Sequence, residues 1–306
     1  HRQLTNMRIN RSYVRFKRRL VRVLDTVRFG RLLSRRMKNF KNRIKNFLLP
    51  NQLFEEMGFT YFGPVDGHDI DRLVRIFGRA KDMRIPVIVH CVTQKGKGYR
   101  FSEDDPEKFH GIAPFSVETG AVGAVEGIVR KSNSAVFGDA LMRLAEQDER
   151  IVAVTAAMKC GTGLKDFAAR FPERFFDVCI AEQHAVTMAA GMAAEGLRPV
   201  VAIYSTFLQR AYDQVLHDIC LMNLPVVLAV DRAGLVGDDG ETHQGQYDAA
   251  FLADMPNMTV YSPATQQELV HMLSLAVQNG TPAAIRYNRG YLMQAVSGMP
   301  VACGRW

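Results

Sequence analysis

Long apolar runs are missing from this 306-residue chain: none reaches the roughly 18 residues that a membrane-spanning helix needs, which excludes an integral helical membrane protein. Cysteine is sparse. Cys91, Cys160, Cys179, Cys220 and Cys303 are scattered with no CxxC pair, which argues against a zinc ribbon or a disulfide framework and fits a reducing, cytoplasmic compartment. The arginine-rich N-terminus has no apolar core of the kind a signal peptide carries. Neither GxGxxG nor GxxxxGK[ST] occurs, and GTG (161–163) and KGKG (95–98) are too short to support a dinucleotide or P-loop reading. What is present is ordinary globular composition, 47% hydrophobic and 23% charged, which excludes a wholly disordered or collagen-like chain. The length is a prior for two domains or one large one.

Acid is almost absent from one segment. Residues 1–49 hold sixteen of the 39 Lys and Arg, and Asp25 alone among the 31 acids. The net charge of +8 therefore belongs to this segment, and the rest of the chain is mildly acidic. Tyr13, Phe16, Phe29, Phe40 and Phe47 interleave with the charge. A nucleic-acid or membrane-surface arm is one reading. A charged helical connector with a thin apolar stripe is preferred, because no recognised nucleic-acid module follows.

From about residue 53 apolar runs alternate with amphipathic stretches. Residues 59–65 read as a strand. Residues 69–81 read as a helix, with Asp69 as a possible N-cap and Ile70, Leu73, Val74 and Phe77 on one face. The run 86–93 (PVIVHCVT) reads as a strand covered on both faces, with His90 and Cys91 in the core. Residues 100–118 read as a loop and linker. Beyond them, strand candidates at 151–156, 175–180, 199–204, 225–231, 258–262 and 283–288 alternate with helices near 135–147, 164–170, 183–195, 207–222 and 266–278. This predicts an α/β fold, a parallel six-stranded sheet with helices on both faces, preceded by part of a second α/β domain. Ligands of such sheets bind at the carboxyl ends of the strands, so the loops after each strand are the candidate site.

Three such segments stand out. In CIAEQHA (179–185), Glu182 follows a strand and opens an Ala-rich helix; it reads either as a dipole-complementing cap or as a positioned acid/base. In YSTFLQRAYDQ (204–214), the aromatics could be helix core, but the polar Ser205, Thr206 and Arg210 between them weaken that reading. DRAGLVGDDGETHQG (231–245) has four glycines that let backbone approach a ligand closely, and Arg232 and His243 add a cation and a titratable ring. Its acids do not follow calcium-loop spacing, so it is either a ligand loop or a solvated surface loop.

Taken together, GPVDGHD (63–69), KGKGY (95–99), DPEKFH (105–110), AEQHAVTMAAG (181–191), YSTFLQRAYDQV (204–215), DRAGLVGDDGETHQG (231–245) and IRYNRG (285–290) resemble the 1-deoxy-D-xylulose-5-phosphate synthase family, thiamine-diphosphate enzymes of the transketolase superfamily. The resemblance implies that residues 1–52 are a basic connecting segment, that 53–118 are the C-terminal part of a truncated pyrophosphate-binding domain with its linker, and that 119–306 are the transketolase-like pyrimidine-binding domain. A third family domain is absent. It implies a decarboxylating condensation of pyruvate with D-glyceraldehyde 3-phosphate, feeding isoprenoid, thiamine and pyridoxal synthesis, by a cytoplasmic homodimer with neither membrane nor nucleic acid as partner.

By the same resemblance, Glu182 bonds N1′ of the cofactor's aminopyrimidine, Phe207 stacks on that ring, and Tyr99 also contacts the cofactor. Tyr204, Arg232 and Arg289 hold the aldehyde's phosphate, while Arg210, Asp239, His243 and His110 line the substrate site, the two histidines as proton donors or hydrogen-bond partners. The family's magnesium motif, GDG with a later asparagine, is not found; FGDA (137–140) is a decoy, and turnover by this chain alone is not expected. Asn288 stands where the family usually has proline. The alternatives are another transketolase-superfamily enzyme, such as a transketolase or a 2-oxoacid dehydrogenase component, and a non-catalytic module with a nucleic-acid-binding basic arm.

Overall fold

The computed structural model describes residues 52–112, 114–122, 131–237 and 239–292. The basic segment 1–51 and Cys303 lie outside the described residues. The chain divides between Gly123 and Ala124 into two compact units.

The first unit contains α1 (Gln52–Glu56), β1 (Thr60–Asp66), α2 (Ile70–Ala80), β2 (Val87–Val92) and α3 (Arg100–Asp104). β1 and β2 pair in parallel. Asp69 caps α2 as expected, its carboxylate accepting the Arg72 N–H at 3.0 Å. Two expectations are corrected here. The predicted apolar face of α2 is largely exposed: the buried residue is Ile76, whereas Ile70, Val74 and Phe77 are at least half exposed. β2 is not covered on both faces either, as His90 is exposed and Cys91 only half-buried. The physical reason is shared. Two strands offer too little surface to bury a full helix stripe or both faces of a strand. The expected linker is also folded, around Tyr99, Phe101, Phe109 and Phe115, whose rings lie 5.2–5.9 Å apart along the cluster. Aromatics spaced two, eight and six residues apart match no periodicity, so this cluster left no sign in the pattern.

The second unit runs α4 (Asn133–Gln147), β3 (Ile151–Thr155), α5 (Lys165–Arg170), β4 (Phe175–Asp177), α6 (Glu182–Ala194) and β5 (Arg198–Tyr204). After β5 come α7 (Ser205–Leu208), a 3-10 turn (Gln209–Ala211), α8 (Tyr212–Gln214) and a π-helical turn (Val215–Cys220). Then follow β6 (Val227–Asp231), α9 (Asp248–Ala253), β7 (Thr259–Tyr261), α10 (Gln266–Gln278) and β8 (Ala283–Arg286). The six strands form one parallel sheet in the order β4-β3-β5-β6-β8-β7. The period of two is visible in its burial. Val201, Ile203, Leu228 and Val230 face the Ala-rich α6 and the 205–220 segment. Their neighbours Val200, Ala202, Val227 and Ala229 face α4 and α10, where Phe137, Leu141, Leu269 and Leu273 are fully buried. With both faces covered, the central strands are apolar throughout, as parallel strands require.

The single helix expected over 207–222 is instead broken into four pieces. The tightened and widened turns keep Leu208, Ala211, Val215 and Ile219 in the core while Phe207 and Arg210 reach the sheet's rim. The helix α9 was not anticipated.

Candidate active site at the carboxyl rim of the sheet

The carboxyl ends of β3, β5, β6 and β8 lie side by side, so the loops that follow them share one rim. Backbone strain concentrates there. Ala157, Cys179 and Arg232 all adopt left-handed conformations, with φ of 59°, 59° and 57°. Such non-glycine residues cost about 1–3 kcal/mol each and persist only where surroundings hold them. Strand-end carboxylates do the holding. Asp177 Oδ1 accepts the N–H of both Ala157 (2.8 Å) and Cys179 (3.0 Å), and Asp231 Oδ1 accepts that of Arg232 (2.7 Å).

Glu182 is the first residue of α6 and is only 4% exposed. Its Oε2 is ion-paired with Arg210 Nη1 at 3.5 Å, and the Arg210 guanidinium also stands 5.9 Å from the centre of the Phe207 ring. Phe207 in turn touches two further predicted residues, His243 edge-on at 5.2 Å and Tyr204 stacked at 5.8 Å. The Arg232 guanidinium carbon lies over the Tyr204 ring, 3.7 Å from its centre. Asp239 faces both arginines: Oδ1 accepts from Arg289 Nη1, and Oδ2 lies 3.6 Å from Arg232 Nε. An unbroken series of contacts thus joins Glu182, Arg210, Phe207, His243, Tyr204, Arg232, Asp239 and Arg289. Eight of the ten predicted site residues come together. The other two, Tyr99 and His110, belong to the first unit. There the Tyr99 hydroxyl donates to the Val117 carbonyl at 2.8 Å, and His110 is exposed.

Beside Arg232 and Arg289 opens a cavity of about 510 Å³, lined also by Ser132, Ser134, Gly161, Gly163 and Gly290. Two guanidinium groups and the start of a fifteen-residue helix line it, and both guanidiniums are paired within the chain, Arg289 with Asp239 and Arg232 with Asp231 and Asp239. Burial raises the Tyr204 phenol, against the pull of Arg232, so it stays a hydroxyl donor at neutral pH. Burial likewise raises Asp231, an effect opposed by Arg232, by the Ser134 hydroxyl and by the Arg232 N–H.

The glycine-rich loop is exposed at Leu235, Gly240 and Glu241 but braced from within. Gly234 and Gly245 bond reciprocally through their backbones at 2.7 and 2.8 Å, and the Gln244 amide bonds Val236 on both its N–H and carbonyl. Gly245 has no room for a side chain, because a Cβ would collide with the Arg232 carbonyl.

Three contributors escaped the sequence reading. Gly161, within the GTG that was set aside, accepts Arg232 Nη1 on its carbonyl at 2.8 Å, and a Cβ there would collide with the Tyr204 hydroxyl. Only its place in the loop that follows β3 could have marked it. Asp231 ends a buried apolar run and Ser134 lies in an ordinary helix start, so neither carries a local signal. Asp139, in FGDA, is ion-paired with Lys131 at 2.5 Å. Among the described residues no three His, Cys, Asp or Glu side chains are grouped so as to hold a metal, and no helix is long and apolar enough to cross a membrane.

A parallel sheet of this order, with a buried carboxylate and two arginines on one rim, is an α/β architecture with its candidate site at the strands' carboxyl ends, and comparison with known proteins gives the family. The chain belongs to the family of the transketolase pyrimidine-binding domain, whose profile matches residues 130–294. More particularly, residues 1–93 match the 1-deoxy-D-xylulose-5-phosphate synthase profile. The chain is 52% identical over 288 residues to the 1-deoxy-D-xylulose-5-phosphate synthase of Clostridium tetani, covering 94% of this chain and 46% of that protein. It is 58% identical over 248 residues to the same-named protein of Syntrophus aciditrophicus, covering 81% of this chain and 38% of the relative. The chain thus spans less than half the length of these relatives. Among solved structures it is similar to a split gene transketolase described as an inactive beta4 tetramer, with 31% identity, a TM-score of 0.50, and coverage of 55% of this chain and 54% of that one.

Proposed function

We propose that this chain forms part of a 1-deoxy-D-xylulose-5-phosphate synthase, which condenses pyruvate with D-glyceraldehyde 3-phosphate with loss of CO2. In this reading residues 53–118 are the C-terminal part of the pyrophosphate-binding domain, and residues 119–306 are the pyrimidine-binding domain. The observation that carries it is the series of contacts from Glu182 to Arg289. It puts a buried carboxylate beside an aromatic ring at one end and a two-arginine pocket at the other, the polarity a phosphorylated aldehyde needs.

The residues present fit one end of thiamine diphosphate. Glu182 is a buried acceptor whose ion pair with Arg210 is long, suited to take the N1′ edge of the aminopyrimidine, and the Phe207 ring, stacked on Tyr204 and met edge-on by His243, is the aromatic partner that the same rim offers. When bound, the cofactor supplies the electron sink for breaking and making the carbon–carbon bonds. The chain's own residues orient and handle protons. Arg232, Arg289 and the Tyr204 hydroxyl take the phosphate of the aldehyde. Asp239 and Arg210 border the space between phosphate and carboxylate. His243, bonded at Nδ1 to the Thr242 hydroxyl at 2.9 Å, offers its other nitrogen to a reacting oxygen; Tyr99 is read as a cofactor contact and His110 as a substrate contact. Magnesium finds no fitting ligand set among the described residues and enters none of these steps. The reading carries with it a homodimeric, cytoplasmic enzyme.

The test is chemical. The complete polypeptide containing this sequence, given pyruvate, D-glyceraldehyde 3-phosphate, thiamine diphosphate and Mg²⁺, is expected to release CO2 and form 1-deoxy-D-xylulose 5-phosphate, identified by mass. Glu182→Gln is expected to slow this by about 10²–10⁴-fold. Acyl transfer to lipoamide, or ketol transfer between sugar phosphates without pyruvate, would replace the reading with a 2-oxoacid dehydrogenase component or a transketolase.

A further inference from the structure

Two consecutive residues at the start of α4 each reach one of the pocket's arginines, by separate routes. Ser134 donates its hydroxyl to Asp231 Oδ2 at 2.6 Å. The other oxygen of Asp231, which is fully buried, accepts the backbone N–H of Arg232 at 2.7 Å and lies 3.0 Å from its Nη1. This single carboxylate therefore holds both the left-handed backbone of Arg232 and its guanidinium, whose side chain is only 12% exposed. Asn133, also fully buried, serves the other arginine. Its amide donates to the carbonyl and to the side-chain oxygen of Asn288 at 3.0 and 2.9 Å. Its own N–H donates to the Gly290 carbonyl at 2.8 Å, and its side-chain oxygen accepts the Leu292 N–H at 2.7 Å. Four bonds thus tie residues 288–292, the loop that carries Arg289, to one side chain and its backbone.

We infer that Asn133 and Ser134 are the positioning residues of the anion pocket, Ser134 setting Arg232 through Asp231 and Asn133 setting Arg289 through its loop. The inference deepens the reading above, since it rests on these two arginines forming the phosphate subsite. Its logic is geometric. The pocket's two cations come from loops 57 residues apart in the chain, after different strands, and a bidentate anion needs them at fixed separation. One rigid helix start that grips both loops supplies that separation. Asn288 also gains a role here, since its side chain is one of the bonds that hold the loop.

The experiment is site-resolved modification of the purified chain by phenylglyoxal, an arginine-specific reagent, with Arg232 and Arg289 read separately by peptide mass mapping. Ser134→Ala is expected to speed modification of Arg232 by about tenfold, the loss of one hydrogen bond to a charged group, and to leave Arg289 unchanged. Ser134→Thr, which keeps the hydroxyl, should restore the original rate. Asn133→Ala is expected to speed Arg289 about fivefold and leave Arg232 unchanged. Should an alanine variant not fold, Ser134→Cys, with its weaker donor, and Asn288→Ala read the same two links. Parallel acceleration of both arginines in either variant, or no change at the cognate arginine, overturns the inference. Inorganic phosphate serves as the separate probe of the underlying reading. If it fails to protect either arginine while the crossed pattern holds, the positioning stands and the phosphate assignment falls.

Discussion

Arg232 has a left-handed backbone, sits over the Tyr204 ring, and bonds the carbonyl of Gly161, a residue 71 positions away in sequence. Each feature constrains its neighbours, and Gly161 is where the constraint is tightest. Gly161→Ala would drive a methyl into the Tyr204 hydroxyl, and overpacking of this kind costs about 1–3 kcal/mol. A lowered melting temperature is expected by differential scanning calorimetry. Tyr204→Phe removes the colliding oxygen, so the double variant should recover part of the loss; strict additivity of the two changes would show that the collision is not the cause. At this scale the sequence was partly legible. Glu182, Phe207, Arg210, Arg232, Asp239 and His243 lie within long, distinctive strings. Asp231 opens one of those strings, but nothing local marks its role; Gly161 and Ser134 lie in none, because their roles arise from contacts with residues far away in the chain, and one glycine or serine in a short window looks like any other.

Elements were more legible than the residues that aim them. Helix α10 announces itself with Thr265 and Glu268, and both halves of the capping box are present: the Thr265 hydroxyl accepts the Glu268 N–H at 3.1 Å, and the Glu268 carboxylate accepts the Thr265 N–H at 3.2 Å. Thr265→Ala is expected to cost about 1 kcal/mol, measurable by urea denaturation. At the far end of α4, Asp148 accepts from the Arg150 side chain at 2.9 Å and from its N–H at 3.0 Å, with Arg198 also near at 3.3 Å. The Arg150 hydrogen bonds, foremost, hold its carboxyl at about 2. Because that value lies below the ordinary carboxylate range near 4, the stabilisation is complete above about pH 4 and disappears as pH falls toward 2. The melting-temperature gap between the wild type and Asp148→Asn should therefore be constant from pH 7 to 5 and close in acid; a gap indifferent to pH would contradict this. By contrast, the break of the 205–220 helix was not legible. Its apolar positions keep a helical spacing throughout, and the change of winding answers to packing against the sheet.

For the whole molecule, the two units differ in how well each satisfies itself. The second has a sheet covered on both faces and a continuous core on each side. Residues 124–306 alone are expected to fold cooperatively, giving a single calorimetric transition with coincident loss of far-ultraviolet circular dichroism. A broad, non-cooperative melt would show that the unit depends on residues outside it. The first unit leaves Leu53, Met57, Ile70 and Val74 mostly exposed around a two-stranded sheet. This is why hydrophobic periodicity misjudged it: periodicity reports which side of a helix is apolar, and a covering surface must exist before that side is buried.

Most strands and helices of the second unit, its parallel α/β class and the strings that reach the sheet's rim were legible in the chain alone. These follow from local spacing of apolar side chains and from turn and cap residues close to one another in the chain. Only the tertiary structure decided that the loops after β3, β5, β6 and β8 meet on one rim, that Asp231 and Ser134 support Arg232, and that Asn133 grips the loop of Arg289. Those outcomes depend on strand order and on hydrogen bonds spanning 97 to 159 residues, a range over which no local pattern carries information.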